Sequence, residues 1–388
     1  MRHLAGAWGG AIDYRESWMD LSRHPARGER GVAAMSLDAE GWALVRRVGD
    51  ERDDPLGYDA HAVTADTTQP AGASGRPHAD PAWFRADAIA PATAALNRRL
   101  AAIARATPGV WTMSPAEART LRESWPPLTL DPRAETRTIA GADGAPLRLR
   151  VLRAEPCEGF YLHFHPGGWV LGAAHHQDPR LSRLAEAARL TVVSVDYRLA
   201  PEHPYPAAPD DAERAALWLA REGGAAELGG PARLAIGGES AGAQLAVVAL
   251  LRLRDRHGLA PYRALVASYG TFDLAGTPSA RAATEPGFQF DRATMEWYVR
   301  QFVTPERLAD PDVSPLHARL EGMPRALFSV GTLDPVVDDT LLMHERWVAA
   351  GNSAELAVYP GGVHAFDELR YPLADEANAR VHAFLRAM

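Results

Sequence analysis

Residues Leu234 to Gly242 read Leu-Ala-Ile-Gly-Gly-Glu-Ser-Ala-Gly, an apolar run that enters Gly-x-Ser-x-Gly and continues into a helical stretch from Ala243 to Leu253. A strand that turns sharply into a helix needs Gly238 and Gly242 to lack side chains, and the turn lifts the Ser240 hydroxyl out of the sheet. The amide of Ala241 then lies at a helix N-terminus, unpaired within the helix and at the positive end of its dipole. A developing oxyanion is stabilised there. The bare pentapeptide recurs by chance in roughly one chain of this composition in ten, so the strand before it and the helix after it carry the weight.

A serine hydroxyl is inert at neutral pH unless a base takes its proton. Ser240 therefore demands a histidine and a carboxylate to orient it, on other strand ends and in the order Ser, acid, His. Asp334 follows the apolar run that ends at Val330, and His364 follows the run that ends at Val358. In a parallel sheet both loops open at the same C-terminal edge as Ser240. Asp338 and Asp339 compete with Asp334 but lie a helical turn or more beyond the strand end, so Asp334 is favoured. A second oxyanion element requires glycine-rich backbone after another strand, and Tyr161 to Trp169 (Tyr-Leu-His-Phe-His-Pro-Gly-Gly-Trp) supplies it with Gly167 and Gly168.

These loops need a scaffold, and the chain shows one. Beyond residue 155, short apolar runs recur at Phe160 to Phe164, Thr191 to Val195, Arg233 to Ile236, Ala264 to Ser268, Ala326 to Val330 and Glu355 to Val358, with helical segments between most of them. Continuous apolarity implies strands covered on both faces, hence an α/β architecture: a mostly parallel sheet flanked by helices. Arg137 to Ala140 and Leu147 to Leu152 flank Gly141-Ala142-Asp143-Gly144 and form a hairpin. Upstream, Leu96, Leu100 and Ile103 recur at helical spacing, and Ser114-Pro115-Ala116-Glu117 is a capping box with proline at N1. Residues 1–80 are an extension that ends in a Gly/Pro/Ser/Thr-rich linker over 67–81. Its one helix-like stretch is Leu37 to Val48, with Trp42, Leu44, Val45 and Val48.

Composition removes whole reaction classes. The chain has 388 residues, and its 41 basic residues are all arginine. Schiff-base and pyridoxal phosphate chemistry, the P-loop and Ser-Lys acyl transfer all need the lysine that is absent. The single cysteine, Cys157, excludes an intrachain disulfide and a CxxC metal or redox site, and is read as a small apolar filler at a strand end. A net charge of −8 argues against a nucleic-acid partner. Charges at Arg2, Asp13, Arg15, Glu16 and Asp20 break up any signal-peptide core, and Leu245 to Leu251, the longest apolar run, is too short to span a bilayer. A cytoplasmic protein without stable membrane insertion is expected. A homodimer is allowed, but nothing in the sequence requires it.

Taken together, Tyr161 to Trp169, the run Val195 to Pro204 (Val-Asp-Tyr-Arg-Leu-Ala-Pro-Glu-His-Pro), Gly238 to Gly242, Ser314-Pro315-Leu316, Asp334-Pro335 and His364 resemble the bacterial hormone-sensitive lipase family of α/β-hydrolases over about residues 110–388. The resemblance implies an α/β-hydrolase fold and a cofactor-free serine carboxylesterase acting on small-molecule esters of short to medium chain. It implies Ser240 as nucleophile, His364 as base, Asp334 as its orienter, and the amides of Gly167, Gly168 and Ala241 as the oxyanion hole. It also implies cap helices at 81–130, a catalytic domain over 131–388 and a cap insertion at about 271–310. Substrate contacts are expected from Trp169, Glu239, Phe288, Trp297 and Tyr298, with Phe290 and Phe302 as further pocket aromatics. Asp196, Arg198 and Glu202 are expected to brace the site. Two departures stand out: Pro166 replaces the loop's first glycine, a position that is no donor, and Ala365 replaces the glycine after the histidine.

Other readings remain. The same machinery cleaves amides, lactones or carbamates, or transfers the acyl group to an alcohol. A non-catalytic ligand receptor is a second class, since plant gibberellin receptors resemble this family. A metal-dependent hydrolase would start from His163 and His165 on one strand face, with His175, His176 and Asp178 downstream. No metal is expected: ester cleavage should persist in excess chelator and be abolished by a serine-directed organophosphate, and the opposite pair of results would refute the serine mechanism.

Overall fold

The structure, a computed structural model, describes residues 79–123, 130–231, 233–284 and 290–388, together with the backbone of 33–37 and 43–47. Eight strands form one sheet: β1 (Glu135–Ala140), β2 (Pro146–Leu152), β3 (Phe160–Phe164), β4 (Thr191–Asp196), β5 (Leu234–Glu239), β6 (Tyr262–Ser268), β7 (Arg325–Gly331) and β8 (Ala354–Tyr359). Their order is β1-β2-β4-β3-β5-β6-β7-β8, and β2 is antiparallel to both its neighbours while β3 to β8 are parallel. All the runs expected as strands are present. The β1–β2 hairpin turns where expected, with Gly144 at φ 82°.

Why the strands read as unbroken apolar runs is visible in their burial: β3 and β5 are buried at every residue. Helices cover both faces. Those of five or more residues, among the described residues, are α1 (Pro91–Ala106), α2 (Pro115–Glu123), α3 (Asp178–Ala188), α4 (Ala207–Arg221), α5 (Ala241–His257), α6 (Pro278–Ala282), α7 (Arg292–Phe302), α8 (Val337–Ala349) and α9 (Pro372–Arg386). Every residue of α5 from Ala241 to Leu253 is buried, because it packs on β5 and is itself covered by α4. Such a helix needs no polar face and shows little amphipathicity. The capping box of α2 forms as read: the Ser114 amide donates to Glu117 Oε2 at 2.8 Å, and the Glu117 amide returns to Ser114 Oγ at 3.3 Å.

One expectation fails. Leu37 to Val48 is not a helix: strands Ala33–Leu37 and Ala43–Arg47 pair antiparallel, with Leu37 opposite Ala43. Four apolar residues are too few to establish a helical period. The turn-prone Asp38-Ala39-Glu40-Gly41 between the strands was the stronger signal. Cys157 is half-buried just before β3, its Sγ 3.3 Å from the Thr191 hydroxyl and from the Gly159 carbonyl, in keeping with a filler. Among the described residues, no helix is long and apolar enough to cross a membrane.

Candidate active site

The parallel strands deliver their C-terminal ends to one edge, and four of those ends carry the expected residues. Ser240 follows β5, Asp334 follows β7, His364 follows β8 and the Pro166-Gly167-Gly168 loop follows β3. Strands β7 and β8 are neighbours in register, Gly331 opposite Tyr359, which brings the acid and histidine loops together. His364 Nδ1 lies 3.0 Å from both oxygens of Asp334, and His364 Nε2 lies 3.0 Å from Ser240 Oγ. All three residues are buried, so water competes little for these bonds.

The serine is held on a strained backbone. Ser240 has φ 52° and ψ −118°, and its amide donates to the Ser268 carbonyl at 2.9 Å. The flanking glycines are needed for space. A Cβ on Gly238 would come within 2.3 Å of the Phe164 carbonyl oxygen, and one on Gly242 within 1.9 Å. The loop after β3 has the same character, with Gly167 at φ 123° and Gly168 at φ 61°, where a Cβ would meet the Tyr298 ring at 2.4 Å. The amides of Val170 and Leu171 close a turn onto the Gly167 carbonyl. Among the described residues, the amides of Gly167, Gly168 and Ala241 make no backbone bond of this kind.

The rival acids are accounted for. Asp339 is buried and accepts from the amides of Phe272 (2.7 Å) and Asp273 (2.8 Å) and from the Thr277 hydroxyl (2.6 Å). Burial pushes it up to about 7 against those donors. Asp338 accepts from the Ser279 amide at 2.8 Å. Both therefore tether the segment after β6, and only Asp334 meets the imidazole. Asp196, Arg198 and Glu202 brace as expected: Asp196 pairs with Arg148, Arg198 with Asp211 and Asp143, and Glu202 with Arg119 and Arg122. Arg122 also donates to the carbonyls of Val170 and Ala200, tying α2 to the oxyanion-type loop.

The expected substrate contacts fare unevenly. Glu239 is corrected: its carboxylate is buried, paired with His163 Nε2 at 2.8 Å and with the Arg180 guanidinium, and so is committed to the protein. Burial would raise its pKa, but Arg180 and His163 bring it down to about 2. Trp169 stacks on Phe302 at 4.6 Å and donates to Gln244, while Trp297 donates to the Met113 carbonyl. Neither indole has a free N–H for a ligand. Tyr298 packs against Gly168 in the loop, and Phe288 lies outside the described residues. Phe290 stacks on the His364 ring, centroids 4.2 Å apart, and Tyr269 meets the same ring edge-on at 5.1 Å. Ala365 occupies a left-handed conformation at φ 58°, which explains why glycine suits that position.

The two strand histidines that suggested a metal make other contacts. His163 Nδ1 lies 2.8 Å from Ser194 Oγ, and His165 stacks on Tyr197 and contacts the Pro166 carbonyl through Nδ1. Burial lowers His165 to about 4. Among the described residues no group of three His, Cys, Asp or Glu side chains could hold a metal ion. Sequence reading did not single out Arg180, Tyr269 or Asp367. The one available signal was a charge on the buried stripe of α3, where Arg180 precedes Leu184 and Ala188 at four-residue intervals.

A hydroxyl, an imidazole and a carboxylate in hydrogen-bonded series, on loops at the C-terminal edge of a mostly parallel sheet, define an α/β-hydrolase. A family model described as the alpha/beta hydrolase fold matches residues 161–368. The chain is 37% identical over 233 residues to the carboxylesterase NlhH of Mycobacterium tuberculosis, covering 58% of this chain and 72% of that protein. It is 32% identical over 207 residues to an ethyl acetate hydrolase of Pseudomonas putida, covering 53% and 65% respectively. The hyperthermophilic esterase of the archaeon Pyrobaculum calidifontis superposes with a TM-score of 0.68 at 30% identity, over 77% of this chain and 98% of that one. The chain belongs to the hormone-sensitive-lipase-like family of α/β-hydrolases and is a carboxylic ester hydrolase.

Gly242→Ala probes the elbow without touching a side chain of the reacting series. Its methyl group cannot avoid the Phe164 carbonyl unless the elbow moves by about 1 Å, a displacement that costs about 10²-fold in rate. Ester turnover per folded molecule should fall by that order, and an unchanged rate would show that the elbow tolerates the shift.

Proposed function

We propose that this chain hydrolyses uncharged carboxylic esters with short or medium acyl groups through an acyl-enzyme. In this reading Ser240 is the nucleophile, His364 the general base and Asp334 the residue that orients it. The amides of Gly167, Gly168 and Ala241 form the oxyanion hole. The observation that carries the proposal is the unbroken series Asp334–His364–Ser240, with 3.0 Å at each link.

The steps follow from the geometry. Ser240 Oγ attacks the ester carbonyl carbon while its proton passes to His364 Nε2. The imidazolium that results is stabilised by Asp334 at Nδ1. The carbonyl oxygen takes up the electron pair and is met by the amides at the N-terminus of α5 and in the β3 loop. Collapse of the tetrahedral adduct expels the alcohol, which takes the proton from Nε2. A water molecule, giving its proton to the same nitrogen, then attacks the acyl carbon; collapse of this second adduct breaks the bond to Ser240 Oγ, which takes the proton back from Nε2, and the carboxylic acid leaves.

The substrate class rests on what surrounds these atoms. Phe290 and Tyr269 pack on the imidazole, and Tyr298 backs Gly168, so these surroundings favour apolar acyl and alcohol groups. A relative named for ethyl acetate hydrolysis supports the short end of the range. Residues 81–130 and about 271–310 are taken as a cap over a catalytic domain spanning 131–388. That division is supported by the Trp297 to Met113 bond, which joins the two segments, and by the contact of Tyr298 with the loop. Residues 1–80 are treated as an extension without an assigned role.

Ser240→Ala should abolish turnover of a chromogenic ester. Asp334→Asn should lower kcat about 10⁴-fold by admitting the wrong imidazole tautomer, whereas Asp338→Asn should have a far smaller effect. A severe Asp338→Asn beside a mild Asp334→Asn would overturn the assignment of the acid. Across a series of p-nitrophenyl esters from acetate to palmitate, kcat/KM should peak in the short to medium range. A peak at palmitate would refute the chain-length reading.

A further inference from the structure

A network of buried polar side chains lies behind the reacting atoms and none of it is used by the chemistry. Arg180, on α3, is 5% exposed. Its guanidinium reaches three elements at once: Nη1 donates to Glu239 Oε1, Nη2 to Asp367 Oδ2 at 3.0 Å, and Nε to Asn378 Oδ1 at 3.0 Å on α9. Glu239 is the residue before Ser240, and Asp367 lies three residues after His364. Asn378 also donates to the Asp367 carbonyl at 2.8 Å, so that loop is held by side chain and backbone together. Asp367 Oδ1 in turn accepts from the Tyr269 hydroxyl at 2.5 Å, and the Tyr269 ring edge packs on His364. His163 completes the far side by bridging Glu239 to Ser194.

We propose that Arg180 is a positioning residue for ester cleavage: one buried guanidinium clamps the elbow that carries Ser240 to the loop that carries His364, and so sets the separation of hydroxyl and imidazole. This rests on the reading of Ser240 and His364 as nucleophile and base. Physical reasons favour an arginine here. The two carboxylates approach different nitrogens of one planar fork, which fixes their relative placement, whereas an ammonium is a point donor that leaves it free. Charged hydrogen bonds in a buried setting are stiff enough to transmit that placement to the adjoining backbone.

The test compares Arg180→Lys, which keeps the charge but loses the fork, with the charge-neutral triple variant Arg180→Met, Glu239→Gln, Asp367→Asn, which leaves no buried ion unpaired. Functional sites are counted by stoichiometric titration with a phosphonate ester, and kcat is expressed per titrated site. A merely structural role reduces the number of sites and leaves that rate alone. Positioning lowers kcat per site by about tenfold to 10²-fold, with KM within about twofold of the parent enzyme. Should the lysine variant fail to fold, the neutral triple variant decides by the same measure. An unchanged rate per site in a folded variant overturns the clamp while the triad stands, provided Ser240→Ala is inactive. Turnover persisting in Ser240→Ala overturns both.

Discussion

The backbone of Ser240 is the constraint on which the site depends. Its φ of 52° and ψ of −118° fall where an L residue sits at a cost of about 1–3 kcal/mol, so the surroundings must over-determine it. They do so at close range. Gly238 and Gly242 both lean on the Phe164 carbonyl, which belongs to the last residue of β3, and the Ser240 amide is held by Ser268 at the end of β6. The strand that begins the oxyanion-type loop is thus the wall against which the elbow is formed. The elbow at Ser240 and the glycine loop after β3 share one contact and cannot drift apart independently.

Much of this arrangement was legible in the chain because it is written in local rules. Strand ends are marked by apolar runs that stop at glycine, and a parallel sheet sends those ends to one edge, so Ser240, Asp334, His364 and the glycine loop could be placed without coordinates. Distance from the strand end favoured Asp334 over Asp338 and Asp339. The structure adds the physical reason: the two later acids are already engaged by Thr277, Ser279 and backbone amides. What could not be read is what depends on pairing across the fold. Glu239 sits beside the nucleophile in sequence, which suggested a ligand contact. Its carboxylate instead meets Arg180, from a helix 59 positions away, and His163 on the neighbouring strand. The Leu37 to Val48 stretch failed for the opposite reason, since a short-range periodicity outweighed a turn signal lying inside it.

Several carboxylates crowd the region around the imidazole, and their distribution keeps its chemistry clean. Asp334 takes Nδ1, Asp339 holds the segment after β6, and Asp367 and Glu239 share Arg180. Burial and the neighbouring Asp367 push Glu368 well above the ordinary carboxylate range, and it accepts from Gln177. Among the described residues the His364 imidazole is therefore hydrogen-bonded to one carboxylate, at Nδ1, with Nε2 on Ser240 Oγ. The rings of Phe290 and Tyr269 pack against it, the first stacked and the second edge-on. Aromatic walls restrict the tilt of the ring without offering its protons another acceptor.

A chain with 41 arginines and no lysine has no amine to titrate at its core, and this bears on how the site keeps its shape. A buried ammonium loses its proton readily because burial penalises the charge. A guanidinium keeps its charge under any condition in which an ester hydrolase works, and in a fork it satisfies two acids at once. With Arg180 fixed as a cation and Glu239 held as an anion near 2, the supports on the nucleophile's side keep one charge state while protons move through the imidazole. In the proposed reaction the group that changes protonation is then distinct from Arg180 and Glu239, which hold the elbow. On the proposed mechanism, His364 can release and regain its proton in each half-reaction without a change in the charges that hold the elbow.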